Sequence, residues 1–332
     1  MKSIISLINK GYLNVSLDSR KLGNLIYEKR LLVKGPKIVA IGGGTGLSTM
    51  LRGLKYYTSN ITAVVTVADD GGGSGALRED LGILPPGDIR NCILALSDTE
   101  PLMEELLQYR FKDGRLKNQS FGNLFLAAMD GISTNFEEAV HKMSSVLAVT
   151  GRVLPVTLDN VILKAKLKNG VVVEGESNIP EQAIIYESPI DKVFIEPQDA
   201  KALQETVQAI KEADAIILGP GSLYTSVIPN LLVKDIRNAL LKTKALKLYV
   251  SNIMTQPGET DNFTVSDHVK AIMDHVGGKV VDYALVNTGT VSEDLKGKYF
   301  EKTSEIVKVD KDELDKMGVG VVEGNFIRIN NG

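Results

Sequence analysis

The chain has 332 residues, 43% hydrophobic and 24% charged, which is enough apolar material for one large or two ordinary domains with a real core and excludes a disordered scaffold. A formal net charge of -3 argues against electrostatic binding to nucleic acid or anionic lipid as the main task. The single cysteine, Cys92, excludes an internal disulfide framework, and no run approaches the roughly 20 apolar residues of a membrane span, so a cytoplasmic protein is expected.

Residues 1–35 carry Arg20, Lys21, Lys29, Arg30 and Lys34 scattered among Leu22, Leu25, Ile26, Leu31 and Leu32. A mobile tail, a helix packed on the body and a partner-binding arm are all open readings, and a solvated or loosely packed extension is favoured. Gly35-Pro36 closes it, leaving 36–332 as the folded domain.

That domain begins with Lys37-Ile-Val-Ala-Ile41, an apolar β-branched run that stops in Gly42, Gly43, Gly44, Thr45 and Gly46. Leu47, Leu51 and Leu54 follow at helical spacing. The pattern predicts strand, tight loop, helix. Helix N-termini offer unpaired N–H groups, and residues without Cβ let a phosphate approach, so an anion cradle is expected at Gly43–Gly46. The glycines are spaced as G-x-G-x-G and match neither the dinucleotide fingerprint nor the Lys-containing P-loop, so no NAD or ATP site follows. A tight turn without a ligand is the competing reading.

A second strand, Asn60 to Val67, is nearly continuous in β-branched residues, as for a strand buried on both faces. It ends in Asp69-Asp70 and a further glycine loop, Gly71 to Gly75. Carboxylates at this place can hold a ribose diol, bind Mg²⁺ through oxygen, or cap the turn. Next, Leu84-Pro-Pro-Gly-Asp-Ile-Arg-Asn91 introduces a helix with Asp88 as the expected N-cap and Arg90 and Asn91 in its first turn, able to face a ligand. Cys92 follows among apolar neighbours and reads as buried filler rather than nucleophile. At Phe121-Gly-Asn123 another apolar helix starts, where the Asn123 amide suits a base edge, a sugar hydroxyl or merely a cap.

Taken together, these consecutive motifs resemble the YvcK/CofD-like family, specifically its YvcK branch, the gluconeogenesis factors. The resemblance runs from about Lys37 to Asn287. It implies a regulatory protein, not required to carry a cofactor and more in keeping with a binder than an enzyme. It further implies binding of UDP-N-acetylglucosamine or a related nucleotide-sugar, and a role in cell shape and envelope synthesis on gluconeogenic carbon sources, through regulatory protein partners. CofD relatives imply an alternative: a Mg²⁺-dependent transferase of a phospho-lactyl unit, with Asp69 and Asp70 at the metal. Two features depart from the branch: Gly73 stands where it usually has Ser, and Phe326 to Gly332 lacks its longer ending.

Between Thr150 and Pro197 the pattern changes to short alternating runs, Val153–Val156, Val161–Leu167, Val171–Glu176 and Lys192–Ile195, with an Asn169-Gly170 turn. An antiparallel β insert at about 151–197 is expected, placed to cover the site or mediate self-association. The α/β pattern resumes at Asp199, a plausible cap, and Ala215–Leu218 feeds Gly219-Pro-Gly221-Ser222. Leu246–Val250 leads to Ser251-Asn252, and Tyr283–Asn287 closes the series. The expected fold is therefore a Rossmann-like, doubly wound, mostly parallel sheet with a small antiparallel insert.

Parallel strands deliver their C-terminal ends to one edge, so the loops at Gly42, Asp69, Gly219 and Asn252 are expected to share one crevice. Gly43, Gly44, Thr45, Gly46, Gly219, Gly221 and Ser222 would supply phosphate donors and hydroxyls; Asp69, Asp70, Asn91, Asn123 and Asn252 would hold ribose, sugar or base. His268 and His275 read as structural, and with His141 they offer no catalytic arrangement by spacing. A homodimer is the default expectation for assembly.

Overall fold

The computed structural model describes residue 27 and residues 29–99, 101–289 and 304–327. The expectation for 1–35 falls mostly outside the described residues. Within them, residues 29–33 are helical and lead into Gly35, where Ser59 N–H donates to the Leu32 carbonyl at 3.0 Å and Asn60 Nδ2 donates to the Gly35 carbonyl at 2.7 Å.

Seven parallel strands form the main sheet in the order β10-β9-β8-β7-β1-β2-β3. They are β1 (Ile38–Gly42), β2 (Ile61–Val65), β3 (Arg152–Pro155), β7 (Ala215–Leu218), β8 (Leu246–Val250), β9 (Tyr283–Asn287) and β10 (Gly320–Gly324). β2 is buried along its whole length and β1 nearly so, because helices cover both faces; this is the physical reason both read as unbroken apolar runs. β1 pairs with β2 on one side and β7 on the other, with Ile41 opposite both Val64 and Leu218. The chain first builds outward from β1 toward β3, then returns and builds outward from β7 toward β10. Right-handed crossovers in opposite directions send their helices to opposite faces, which opens a cleft between the ends of β1 and β7.

The helices are α1 (Gly44–Leu54), α2 (Gly72–Leu81), α3 (Gly87–Leu96), α4 (Pro101–Gln108), α5 (Phe121–Gly131) and α6 (Phe136–Val146) in the first half. α7 (Ile179–Ile185), α8 (Gln204–Glu212), α9 (Ile228–Leu232), α10 (Lys234–Lys242), α11 (Val265–Val276) and α12 (Lys311–Lys316) follow. α1 packs on α3, α6 on β3, α8 on α10, and α9 on α11. The apolar stripe read from α1 is its core face, with Leu47 and Leu51 fully buried. α11 is closed by a capping box, in which Thr264 Oγ1 and the Asp267 carboxylate bond reciprocally to the backbone, and ends at Gly277 in the left-handed region.

The insert is smaller than the alternating pattern suggests. β4 (Ile162–Leu167) and β5 (Val172–Glu174) form the hairpin around Asn169-Gly170, and β6 (Ile190–Glu196) pairs antiparallel with β4. Val153–Val156, expected among these short strands, contributes β3 instead, the parallel edge of the main sheet. Its apolar residues are buried like those of a parallel strand, and four residues are too few for periodicity to decide which sheet they join. Two cap assignments also differ. α3 starts at Gly87 with Asp88 inside its first turn, and α8 starts at Gln204, beyond Asp199.

Candidate functional site

At the cleft, β1 runs into Gly43, whose backbone is extended, and Gly44, whose φ of 69° lies in the left-handed region that favours glycine. α1 therefore begins with its N-terminal amides at the cleft floor. Opposite, β7 runs into Gly219, Pro220 and Gly221 and then an irregular helical turn from Leu223 to Val227. The two loops touch closely: a Cβ on Gly46 would lie 2.9 Å from the Pro220 carbonyl oxygen. Glycine here serves close approach of backbone to backbone, not a turn.

These loops floor a cavity of about 740 Å³, whose far wall is Val250–Met254 after β8 and whose rim includes Leu285, Asn287 and Phe326. Its polar lining is tied together. Asn252 Nδ2 donates to Gln256 Oε1 at 3.3 Å, and Gln256 Nε2 donates to Ser222 Oγ at 2.8 Å, linking the loops after β7 and β8. Asn287 Oδ1 accepts from Phe326 N–H at 2.9 Å, which fixes the aromatic residue at the rim. Met50, Met254 and Phe326 give the cavity apolar surface beside its amides and hydroxyls, the mixture that ligand pockets use to combine burial with orientation.

Of the residues singled out in the sequence, Gly43, Gly44, Thr45, Gly46, Gly221, Ser222 and Asn252 line this cavity. Gly219 stands just behind it, its N–H donating to the Ile41 carbonyl and its φ of 79° turning the chain toward Pro220. Gln256, Asn287 and Phe326 were not among the candidates. Asn287 was legible by the same rule that selected the others, since it ends a parallel strand; Phe326 comes from a distant segment with no such signal.

Four other candidates lie outside that cavity. Asp70 accepts the Glu176 and Ser177 N–H groups, both at 2.9 Å, and so fastens the insert to the loop after β2. Asp69 accepts the Gly71 N–H at 2.9 Å and the Ser74 hydroxyl. Asp69 and Asp70 therefore do not present two open carboxylates to one cation. Asn91 lines a neighbouring cavity beyond α1, and Asn123 is buried with Oδ1 unpartnered among the described residues. The glycine at 73 leaves room for Gln119, whose Oε1 would lie 2.8 Å from a Cβ there.

Beside the floor of the main cavity, acidic groups are held partly out of water. Burial and the neighbouring Asp69 push Asp88 up to about 6, although the Gly44 N–H donates to its carboxylate. Burial first, then Asp69, raises Glu176 to about 8, and burial raises Glu259 to about 7. Glu259 accepts from Tyr224 N–H at 3.2 Å and Thr225 Oγ1 at 3.1 Å, so it holds the turn after Ser222 from below. Among the described residues, only Glu137, His141 and Glu205 bring three ligand atoms within 4.8 Å of one another, and they lie on α6 and α8, away from the cleft.

Cys92, His268 and His275 sit within the packing of the fold. Cys92 is fully buried, which raises its thiol well above the usual range. His268 is buried with Nδ1 at 2.8 Å from the Thr264 carbonyl, and His275 Nε2 accepts the Val193 N–H at 3.0 Å, joining α11 to the insert.

Residues 38–327 match the family described as 2-phospho-L-lactate transferase CofD. A protein of Clostridium acetobutylicum grouped with the gluconeogenesis factors is 91% identical over 332 residues, covering 100% of this chain and 74% of that relative. The gluconeogenesis factor of Bacillus subtilis is 50% identical over 297 residues, covering 89% of this chain and 92% of its own length. A crystal structure of a Bacillus halodurans protein superposes with a TM-score of 0.86 at 48% identity, covering 90% of this chain and 94% of that one.

Proposed function

We propose a function on one premise: the chain belongs to the CofD/YvcK family, among relatives named as gluconeogenesis factors. In this reading the cleft between β1 and β7 binds a nucleotide-sugar of the UDP-N-acetylglucosamine type without turning it over. The bound state then regulates proteins of cell-shape and envelope synthesis during growth on gluconeogenic carbon sources. One observation carries it: the α1 amides, Gly221 and Ser222 meet across a single cavity of about 740 Å³ lined elsewhere by Asn252 and Gln256. Amides at a helix start suit a diphosphate, and side-chain amides suit sugar and base hydroxyl or carbonyl groups. No histidine approaches this cavity among the described residues, which favours binding over acid–base turnover.

Calorimetric titration with UDP-N-acetylglucosamine is the direct test. Saturable heat, with affinity weakened in Gly46→Ala, is the expected result; no heat and no competition at millimolar concentration overturns the reading.

A second reading, a Mg²⁺-assisted phospho-group transferase of the CofD type, draws support from the family description and from the raised carboxyls of Asp88 and Glu176 beside the floor. Asp69 is the member of the acidic pair that is not fastened to the insert. Incubation with nucleotide-activated donors and Mg²⁺, followed by mass spectrometry, would reveal a transferred product, and its absence across acceptors removes this reading. For assembly a homodimer is proposed, to be checked by sedimentation.

A further inference from the structure

On the other side of α1 from the glycine loop lies a second cavity, of about 330 Å³, that neither reading above uses. Its walls carry three guanidinium groups, Arg52, Arg90 and Arg110, with Asn91, and it shares Thr45 and Thr49 with the main cleft. The arginines differ in how far they are compensated. Arg52 Nη1 is paired with Glu104 Oε1 at 2.7 Å on the surface. Arg110 is exposed and, among the described residues, donates only to the neutral Asn118 carbonyl, at 3.0 Å.

Arg90 is 6% exposed. Its Nη1 donates to Ser120 Oγ at 2.8 Å and to the Leu107 carbonyl at 3.4 Å, while its Nε–H is buried without a partner among the described residues. Among the described residues, neither Arg90 nor Arg110 forms an ion pair with a carboxylate. Asp88 is the acidic group that acts on Arg90, and burial pushes Asp88 itself toward its neutral form. Burial, together with the nearby Arg110 charge, lowers Arg90 to about 10. A buried, under-bonded guanidinium facing a second cation in a polar cavity is costly unless an anion completes it. The planar fork of Arg matches the oxygen spacing of a phosphoryl group, and Arg binds such groups in bidentate fashion.

We propose that this arginine cavity is a phosphoryl-binding site, distinct from the nucleotide-sugar cleft and separated from it by the first turns of α1. The phosphoryl group belongs either to the cleft's own ligand, reaching past Thr45, or to a separate phosphorylated compound. Arg90 and Arg110 supply the charge, and Asn91 and Thr49 complete the polar lining. The inference rests on the second cavity alone and stands or falls apart from the nucleotide-sugar reading.

The test is a titration of the full chain, labelled with ¹⁵N, with inorganic phosphate, following the Arg90 Nε–H signal. A saturating shift is expected, and Arg110→Gln, at an exposed position, should weaken phosphate binding about tenfold. ³¹P line broadening on the same two proteins gives an independent reading of that loss. No shift up to tens of millimolar phosphate, or equal affinity in Arg110→Gln, overturns the proposal. Addition of UDP-N-acetylglucosamine separates the two sources. If saturating the cleft abolishes the phosphate titration of Arg90, the group is the cleft ligand's own; if phosphate still titrates Arg90 with the cleft saturated, it comes from a second compound. Phosphate binding without nucleotide-sugar binding removes the cleft reading and leaves this one standing, and the converse pattern removes this one alone.

Discussion

Asp88, Glu176 and Glu259 each have a folded-state pKa above the ordinary carboxyl value, at about 6, 8 and 7. The folded protein therefore holds protons that the unfolded chain has already released. The stability these three groups contribute is fully present below the ordinary carboxyl range and is lost as pH rises through their raised values. Urea denaturation of the unliganded protein should show stability falling between pH 5 and 8. Glu259→Gln keeps one acceptor oxygen for Tyr224 N–H and turns its NH2 to Thr225 Oγ1, whose hydroxyl can accept instead of donating, but it cannot ionise. It should flatten the slope up to about pH 7 and be more stable than the parent at pH 8 by on the order of 1–2 kcal/mol. A steeper slope in the variant would contradict the assignment.

Gly46 tests the cleft at the same scale. An added methyl would meet the Pro220 carbonyl oxygen at 2.9 Å, and backbone cannot swing aside as a side-chain tip can. Gly46→Ala should cost about 1–3 kcal/mol of stability and spread the two loops, weakening nucleotide-sugar affinity by more than its effect on folding explains. Melting temperature and calorimetric affinity, measured on the same preparation, separate the two effects.

Asp70 joins two elements that the sequence places more than a hundred residues apart, the loop after β2 and the Glu176-Ser177 segment before α7. Both carboxylate oxygens are used, so Asp70→Ala orphans two amides at once. The expected cost is about 1–3 kcal/mol. Hydrogen exchange should localise it, speeding at residues 174–179 and in β5 while β1 and β2 stay protected. Uniform acceleration across the main sheet would instead mean that the insert is not a separable unit. The glycine loops, the buried strands and the α1 stripe are all legible in the sequence, because each is a local pattern: β-branched runs, helical spacing, residues lacking Cβ. What Asp69, Asp70 and Asp88 face is not, because a carboxylate's partner depends on which distant backbone amide arrives beside it. Asp88 illustrates the point: the residue type and place suit an N-cap, yet its carboxylate accepts from Gly44 on another element. The edge strand β3 escaped for a different reason, being too short for its burial pattern to reveal its sheet.

Across the whole molecule, the parallel order with reversal at β1 and β7 brings Gly43–Gly46, Gly221, Ser222 and Asn252 to one cavity, as the strand-end argument anticipates. Asn91 falls on the far side of α1, and Asn123 falls inside the protein, since a helix start need not point at the sheet edge. A ligand bound only by the folded cleft must stabilise the fold by mass action, so the melting temperature should climb with UDP-N-acetylglucosamine concentration without a plateau at saturation. At a hundred times the dissociation constant the gain should be about 2.7 kcal/mol. A melting temperature indifferent to ligand would count against the cleft.

Thr45 and Thr49 border both cavities, so one and a half turns of α1 act as a party wall. If an occupant of one room shifts that wall, thermodynamic reciprocity requires each occupant to alter its neighbour's hold by an equal factor. Two separate ligands on the two proposed sites would then be weighed against each other through a single helix.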